Sequence, residues 1–364
     1  MYTKSYKGEV CGMRNKWVKR YGLIYLLMIC SLISGSIGRI FAEAAPGKEV
    51  TSSEISTNTV LVGGMPVGIY LETEGVLVLS TQEVENEAGI LCEPARNIVK
   101  SGDYIIQMNQ TTITDKESLI EAVDALESEE VILKLRRNDE IIQEKIEATK
   151  TSENEYKLGI WVRDNIQGLG TITYLDSNNK FGALGHGIHD IDISTLIEIE
   201  EGSLYKTNIR SIKKGEGGNP GSMEGIIVYN RKNRVGTITN NTEEGIYGTI
   251  ENIDEVFEEQ IAMETANVDE IEIGPAKIRC SIDGEIQEYE VEILAIDKRP
   301  VEVNKGLLLQ VTDEELLEKT GGIIQGMSGS PILQDGKLVG AVTHVLVNDP
   351  TRGYGIFIEN MLEH

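Results

Sequence analysis

From residue 159 to the C-terminus, short apolar runs alternate with glycine-rich polar turns. Examples of the runs are GLGTITYLD, KFGALGHGI, GIIVYN, VGTITNN and GLLLQV. Runs at this spacing predict many short strands, as in an all-β barrel or sandwich. The segment TDEELLEKT (312–320) departs from the pattern, because Thr312 with Glu315 three residues later forms a capping box and predicts a helix. A mainly β domain is therefore predicted for residues 159–364.

Residues 61–149 show a mixed pattern. PVGIYL and GVLVLS (66–80) predict two strands, and VILKLRRNDEIIQEKIEA (131–148) predicts a hairpin. Between them, DKESLIEAVDALES (115–128) predicts a helix, because apolar residues recur at helical spacing. These residues are Leu119, Ile120, Val123 and Leu126. The polar segment KTSENEYKL (150–158) is predicted to be a linker to the following domain.

The mixed segment resembles a PDZ domain. The resemblance rests on KSGDYIIQMNQTTI (100–113), followed by the predicted helix and a last pair of strands. The family's carboxylate-binding loop would correspond to Pro66, Val67, Gly68 and Ile69. The resemblance implies an α/β domain that holds a peptide C-terminus or an internal segment, which adds a strand to a sheet edge. The alternative is a PDZ-shaped spacer that binds no external peptide.

One long apolar run, YGLIYLLMICSLISGSIGRIF (21–41), lies near the N-terminus. Basic residues precede it in MRNKWVKR (13–20), and the small residues AEA (42–44) follow it. This order predicts an export signal within residues 1–45. The run is also close to the ~20 residues of an uncleaved membrane anchor, and the basic flank directs the remainder of the chain out of the cytoplasm. The polar residues 46–60 are predicted to be a tether.

Charge and cysteine content narrow the possible functions. The formal net charge is −25, from 34 basic and 59 acidic residues. A chain this acidic repels phosphate backbones, so no nucleic acid is expected as a partner. Cys11 and Cys30 lie in the leader, whereas Cys92 and Cys280 are a possible pair or, more commonly, unpaired packing residues. No CxxC motif or His/Cys cluster suggests a structural zinc site.

The stretch GGIIQGMSGSPILQDGK (321–337) places Ser328 and Ser330 among glycines just before an apolar run. A serine becomes a strong nucleophile when a base removes its proton. Glycines at a tight turn let successive N–H groups point into one concavity, so the amides of Gly326 and Ser328 are candidates for an oxyanion hole. For a bare Gly-x-Ser-Gly motif, the alternative is a hairpin connector with solvated hydroxyls.

The residues after the serines resemble the second barrel of chymotrypsin-like proteases. A hairpin, a wall strand, a loop and a Gly-Tyr-Gly strand follow one another in ILQDGKLVGAVTHVLVNDPTRGYGIFI. The resemblance implies a chymotrypsin-like double β-barrel. It also implies that Thr343, His344 and Val345 border the substrate cleft.

Histidine is the usual base for a serine nucleophile. His186 lies between glycines directly after an apolar strand, where the first barrel of such proteases carries its base; the alternative is a structural histidine in a turn. His189 is expected to be a surface-loop residue, and His344 to pack near the cleft.

A third residue, a carboxylate, orients the imidazole in a triad. Asp313 is a candidate, although an aspartate at a helix start also simply favours the helix dipole.

The chain resembles the SpoIVB family of serine peptidases. The stretches that carry the resemblance are FGALGHGI (181–188), VTDEELLEKTGGIIQGMSGSPI (311–332) and GAVTHVLVNDPTRGYGIFIENML (340–362). The family's histidine in GHG corresponds to His186, its aspartate in VTD to Asp313, and its serine in GMSG to Ser328. The resemblance therefore implies a Ser-His-Asp peptidase that needs no metal or organic cofactor.

The same resemblance implies a place in sporulation. The protein would be exported into the space between the forespore and mother-cell membranes, where it cleaves itself. It would then cleave a membrane-bound regulatory protein and so trigger activation of a late mother-cell sigma factor. Two alternatives stay open: a non-catalytic signalling adaptor that works through its PDZ-like domain, and a general extracytoplasmic quality-control protease.

Overall fold

The computed structural model of the protein describes residues 59–138 and 140–364. The predicted leader, residues 1–45, and the tether up to residue 58 lie outside the described residues, so export and anchoring stay predictions. No helix among the described residues is long and apolar enough to cross a membrane. Most of the described chain forms strands, which confirms the prediction of a mainly β protein.

The strands, numbered in chain order, have the following bounds: β1 (Thr59–Val62), β2 (Pro66–Thr81), β3 (Val84–Glu85), β4 (Leu91–Cys92), β5 (Tyr104–Met108), β6 (Thr111–Thr112), β7 (Glu130–Arg137), β8 (Glu140–Glu147), β9 (Thr149–Ser152), β10 (Glu155–Lys157), β11 (Ile160–Leu175), β12 (Lys180–Ala183), β13 (Glu201–Lys213), β14 (Ser222–Ile227), β15 (Arg234–Thr242), β16 (Gly245–Ile250), β17 (Ala262–Thr265), β18 (Gly274–Ser281), β19 (Ile286–Ile296), β20 (Leu307–Val311), β21 (Pro331–Gln334), β22 (Lys337–Leu346) and β23 (Asp349–Phe357). The α-helices are α1 (Lys116–Asp124), α2 (Ile253–Val256), α3 (Glu314–Thr320) and α4 (Ile358–Met361). Two short 3-10 helices are η1 (Val268–Glu270) and η2 (Val303–Lys305).

Antiparallel strands close a first barrel. β2 pairs with β11, β11 with β12, β12 with β16, β16 with β15, β15 with β13, and β13 again with β2. Alternate side chains point inward, and Leu71, Ile172 and Phe181 are buried in the interior. Each such side chain contributes about 1.5–3 kcal/mol relative to an exposed one. The closed ring satisfies the backbone groups that an open sheet would leave unpaired.

A second ring closes in the same way toward the C-terminus. β18 pairs with β19, β19 with β20, β20 with β23, β23 with β22, β22 with β21, and β21 with β18. Ile278, Leu309 and Ile332 are buried in this barrel. Between the rings, β1 pairs with β11 and with β17, and β17 runs parallel to β22. The two barrels are therefore joined by continuous strand pairing.

A third core belongs to a unit that is inserted into the first barrel. β2 leaves the barrel and continues outward, where it pairs with β5 and with the first residues of β11. The core of this unit includes Val78, Ile105, Leu119 and Leu133. The chain enters the unit through β2 and returns through β11, so the first barrel is completed only after the insertion.

This arrangement corrects the predicted domain boundaries. Residues 61–149 were predicted to be one PDZ-like domain, but Leu61, Val67 and Leu71 fill the core of the first barrel. The predicted linker 150–158 is also wrong, because β9 and β10 form a hairpin there. The PDZ identity of the inserted unit stays a prediction.

The predicted carboxylate-binding loop is also wrong. Pro66, Val67, Gly68 and Ile69 lie within β2, and their backbones pair with β11 on one side and β13 on the other. Val67 and Ile69 are buried in the first barrel, and Ile227 covers Gly68, where a Cβ would lie 2.7 Å from its side chain. Backbone groups that are already paired in a barrel are not free to hold a peptide carboxylate.

The sequence predicted that the two longer helices exist, but it did not predict correctly the residue at which each one begins. α1 begins after Asp115, whose side chain and that of Ser118 form a capping box. α3 begins after Asp313, which accepts a hydrogen bond from the amide of Leu316 at 2.9 Å. The predicted cap Thr312 is wrong, because its N–H still pairs with the carbonyl of Glu290, so the chain is extended at that point.

A buried ion pair in the inserted unit provides a test of its stability. Asp103, which is 1% exposed, accepts hydrogen bonds from Nε and Nη2 of Arg137 at 2.6 and 2.7 Å and from the amide of Lys100 at 2.8 Å. We expect Asp103→Ala to lower the free energy of unfolding by about 3 kcal/mol, because it leaves Arg137 without its partner. Denaturant unfolding measures this. An unchanged midpoint would contradict it.

Candidate active site

The loop that carries Ser328 lies between α3 and β21 and is held by the first barrel. The N–H of Thr171, on β11, donates to the carbonyl of Ser328 at 2.9 Å, and the Thr171 hydroxyl donates to the carbonyl of Gly326 at 2.8 Å. Gly326 and Gly329 have φ angles of 102° and 93°, a region that favours glycine. The glycines around the serine therefore allow a backbone conformation that other residues would adopt only at a cost.

The loop that carries His186 follows β12 and lies against the serine loop. The amide of Leu184 donates to the carbonyl of Thr171 at 3.2 Å. A Cβ on Gly329 would lie 2.5 Å from the Leu184 nitrogen. Leu184 has a φ of 69°, which is costly for a non-glycine residue and is typical of functional sites. One strand, β11, thus holds both loops through Thr171.

Ser328 and His186 contact neighbouring residues of β22. The Ser328 hydroxyl donates to the carbonyl of Thr343 at 2.8 Å. The rings of His186 and His344 lie 4.9 Å apart, centroid to centroid. Val345, the third predicted cleft residue, is half-buried on the same strand. The structure therefore brings the predicted serine, histidine and cleft strand together, with the serine hydroxyl turned to Thr343 and not to His186.

His186 has a defined hydrogen-bond partner. Its Nδ1 lies 2.9 Å from the carbonyl oxygen of Gly187. A carbonyl oxygen only accepts, so Nδ1 carries the proton and Nε2 of the neutral ring is left as an acceptor. This is the tautomer that a general base needs.

The structure does not bring Asp313 to His186. One carboxylate oxygen of Asp313 accepts from the amide of Leu316 at 2.9 Å, and the other accepts from the amide of Glu290 at 3.2 Å. The first contact caps the start of α3, and the second satisfies an N–H group of β19. They match the helix-capping alternative for this aspartate.

The second serine of the motif is inaccessible. Ser330 is 0% exposed and lies beside the thiol of Cys280. Cys280 is free and buried, and burial raises the pKa of its thiol to about 12, so it stays a protonated packing residue. Cys92 is also free. Ser328, which is half-buried, is the serine of this loop that a substrate can reach.

Two amides of the serine loop are available to an oxyanion. The N–H groups of Met327, Gly329 and Ser330 donate to the carbonyls of Ile324, Val342 and Met327, respectively. Among the described residues, the amides of Gly326 and Ser328 have no such acceptor. Unpaired N–H groups beside a nucleophile fit the predicted oxyanion-binding role.

The paired histidines have lowered pKa values. Burial lowers the pKa of His186, and burial followed by the charge of His186 lowers the pKa of His344 to about 4. Both rings are therefore neutral at pH 7. A neutral His186 can accept a proton from serine over a range that extends below pH 6.5.

The lowered pKa of His344 predicts a stability change at acid pH. Between about pH 4 and 6.5 the unfolded chain binds more protons at this residue than the folded one, so stability falls as pH falls through that range. We expect His344→Gln to remove about 1–2 kcal/mol of this loss, after allowance for its partial exposure. Thermal unfolding of both proteins at pH 7.5 and 5 measures this. Melting temperatures that fall equally in both would contradict it.

Several residues of the site were not predicted from sequence. Thr171 lies in an ordinary β-strand pattern that does not reveal its link to the serine loop. Asn241 clamps the histidine loop, because its side chain accepts from the amide of Ile188 at 2.8 Å and donates to the carbonyl of the same residue at 2.9 Å. His189, predicted to be a surface residue, has its Nδ1 3.3 Å from the carbonyl oxygen of Gly187, which His186 also contacts.

Comparison with solved structures finds distant likenesses to proteases. The HtrA-type protease AlgW with a decapeptide is 11% identical, with a TM-score of 0.32, over 59% of this chain and 55% of that chain. The Rv3671c protease from M. tuberculosis in its active form is 12% identical, with a TM-score of 0.30, over 54% of this chain and 74% of that chain. The chain thus spans little more than half the length of AlgW. Scores this low do not establish a shared fold.

Comparison with curated proteins gives no match. A family model does match: SpoIVB peptidase S55, over residues 154–362. This range is more than half of the chain and contains Ser328, His186 and Asp313. The chain therefore belongs to the SpoIVB peptidase S55 family, a family of serine peptidases.

Proposed function

We propose that the protein is an exported serine endopeptidase in which Ser328 is the nucleophile and His186 the general base. The observation that supports this most directly is the double role of Thr171. Its N–H binds the carbonyl of Ser328, and its carbonyl binds the amide of Leu184, two residues before His186. Serine and histidine loops from different barrels are thus fixed against each other, as a nucleophile–base pair requires.

The catalytic step requires the Ser328 hydroxyl to change its partner. It donates to the carbonyl of Thr343 in the free protein and must donate to Nε2 of His186 when the substrate is bound. Oγ then bonds to the substrate carbonyl carbon while Nε2 takes the proton. The amides of Gly326 and Ser328 hold the oxyanion. His186 next gives the proton to the leaving amine, and water hydrolyses the acyl-enzyme through the same groups.

The strand β22 would border the substrate in this proposal. An extended peptide beside Thr343, His344 and Val345 lies next to both the serine and the histidine. The family resemblance also assigns Asp313 to orient His186. Because one of its oxygens holds the amide of Leu316 in α3 and the other that of Glu290 in β19, that role requires the start of α3 to rearrange.

The biological role in the proposal comes from the family. The protein would be exported to the space between forespore and mother-cell membranes, anchored or released, and would cleave itself, with the tether 46–60 as the expected place. Its second substrate would be a membrane-bound regulatory protein whose cleavage leads to activation of a late mother-cell sigma factor. The inserted unit, with its separate core, would recognise peptides.

Labelling with a fluorophosphonate probe tests the proposal. The full-length protein is treated with the probe, digested, and the modified peptide is identified by mass spectrometry. An adduct on Ser328 is expected. Absence of any adduct would contradict catalysis and favour the adaptor alternative. Digestion of unfolded casein at many sites by the untreated protein, blocked by prior treatment with the probe, would favour the quality-control protease.

A further inference from the structure

The strand β14 has one edge that is open for most of its length. Its other edge pairs with β13 along the whole strand. The open edge meets the serine loop only at its start, where Ser222 and Gln325 form a parallel bridge. The N–H of Met223 donates to the carbonyl of Gln325 at 2.8 Å, and the N–H of Gln325 donates to the carbonyl of Gly221 at 2.8 Å. Gln325 directly precedes Gly326, whose amide is a candidate oxyanion donor.

The serine loop leaves β14 after this bridge. Gly326 has a φ of 102°, and the N–H of Met327 donates back to the carbonyl of Ile324 instead of continuing along β14. Backbone groups alternate between the two edges of a strand. The carbonyl of Met223 and both backbone groups of Gly225 therefore point to the same edge as the N–H of Met223. Among the described residues, no strand pairs with this part of the edge.

The open part of the edge is accessible and lies beside the candidate oxyanion site. Gly225 and Ile226 are both exposed. Leu169, on β11, lies against both regions: a Cβ added to Gly225 would lie 2.9 Å from one of its methyl groups, and a Cβ added to Gly326 would lie 3.1 Å from the other. A peptide whose carbonyl is held at Gly326 therefore passes this edge.

We propose that the open edge of β14 binds the leaving-group side of the substrate as an added parallel strand. The acyl side lies on β22, and the leaving-group side continues along β14 from the point where the serine loop turns away. Strand addition at an open edge provides main-chain hydrogen bonds for affinity and side-chain contacts for specificity. This inference rests on the proposed function, because the added strand belongs to the substrate of the same serine.

The existing bridge sets the register of the added strand. When the parallel pattern continues, one substrate residue lies opposite Glu224, and the residue two positions later lies opposite Ile226. The first donates its N–H to the carbonyl of Met223, and the second donates its N–H to the carbonyl of Gly225. Residues opposite each other place their side chains on the same face of a sheet. The first substrate side chain therefore meets Glu224, and the second meets Ile226.

The side chains of Glu224 and Ile226 favour particular residues at these two substrate positions. Glu224 is exposed, accepts from the hydroxyl of Ser211 at 2.6 Å and has no ion-pair partner in the described part of the chain. Arg210 and Lys213 lie on β13, one strand farther from the substrate. The charge next to the added strand is therefore negative and favours a basic residue. Ile226, which is 51% exposed, favours an apolar residue two positions later.

The test measures the cleavage of a synthetic peptide library of balanced composition by the full-length protein, with the cleaved bonds identified by mass spectrometry. We expect a basic and then an apolar residue to be preferred two positions apart on the leaving-group side. Proline is expected to be disfavoured at both positions, because it has no N–H to donate. Glu224→Lys should move the first preference from basic to acidic residues by about 2- to 5-fold, and Ile226→Thr should weaken the second by a similar factor.

Glu292→Lys is the matched control. It makes the same charge change at an exposed strand position, but Glu292 lies on β19, whose two edges are already paired with β18 and β20. We expect its leaving-group preferences to match those of the parent.

Fluorophosphonate labelling of the same proteins separates this inference from the proposed function, because the leaving group of the probe is fluoride and not a peptide. A parent that is not labelled and cuts no peptide would contradict the proposed function itself. A labelled parent that cuts no peptide would overturn the inference alone. Leaving-group preferences that both variants retain, or changes confined to the acyl side, would also overturn it. So would a loss of labelling in step with the loss of cleavage, because the substituted residue would then support the serine site and not the substrate strand.

Discussion

Ser328→Ala is expected to lower the rate of peptide-bond hydrolysis by about 10⁴-fold or more, to the level of His186→Ala. A nucleophile and its base act as a unit, so removal of either one removes most of the joint effect. The double variant is therefore expected to lose little more than either single one. Initial rates of cleavage of a peptide substrate, with matched protein concentrations, measure these losses.

Ser330→Ala is the matched control for this experiment. Ser330 lies two residues away on the same loop but is fully buried beside Cys280. We expect its removal to leave hydrolysis within about threefold of the parent, because no substrate atom reaches it. Loss of activity in Ser330→Ala together with full activity in Ser328→Ala would reverse the assignment of the nucleophile.

Local patterns in the sequence predicted the structural features that depend only on neighbouring residues. The spacing of apolar residues predicted α1, and the apolar runs predicted most strands of the second barrel. The motif around Ser328 and the turn around His186 also predicted candidate chemistry. These features follow from a few adjacent residues, and each has a distinct physical signature.

The predictions that were wrong concern features that depend on contacts between residues far apart in the sequence. PVGIYL and GVLVLS read separately as two strands, whereas the structure joins them in β2, which serves two cores. The sequence of residues 66–80 does not indicate that both halves of β2 pair with β11, a strand far later in the chain. The contact between Thr171 on β11 and the carbonyl of Ser328 likewise depends on how the two barrels meet. Such relations are set by topology and not by local periodicity.

The histidine and serine loops meet because Gly329 has no side chain. A Cβ at this position would lie 2.0 Å from the carbonyl oxygen of Thr171 and 2.5 Å from the nitrogen of Leu184, both of them backbone atoms. These atoms cannot yield easily, because Thr171 also holds the carbonyls of Ser328 and Gly326. The φ of 93° adds a further cost for any residue with a Cβ.

We therefore expect Gly329→Ala to lower the free energy of unfolding by about 4 kcal/mol and to abolish labelling of Ser328, since the two loops must separate. Gly336→Ala is the matched control. Its φ of 77° is similarly unfavourable, but a Cβ there meets no atom within 4 Å, so the expected cost is about 1–2 kcal/mol and labelling persists. Denaturant unfolding gives the first quantity and the fluorophosphonate probe the second. Equal losses in the two variants would mean that left-handed strain alone sets the cost. The close approach of the barrels at Gly329 would then not be what holds the candidate site together.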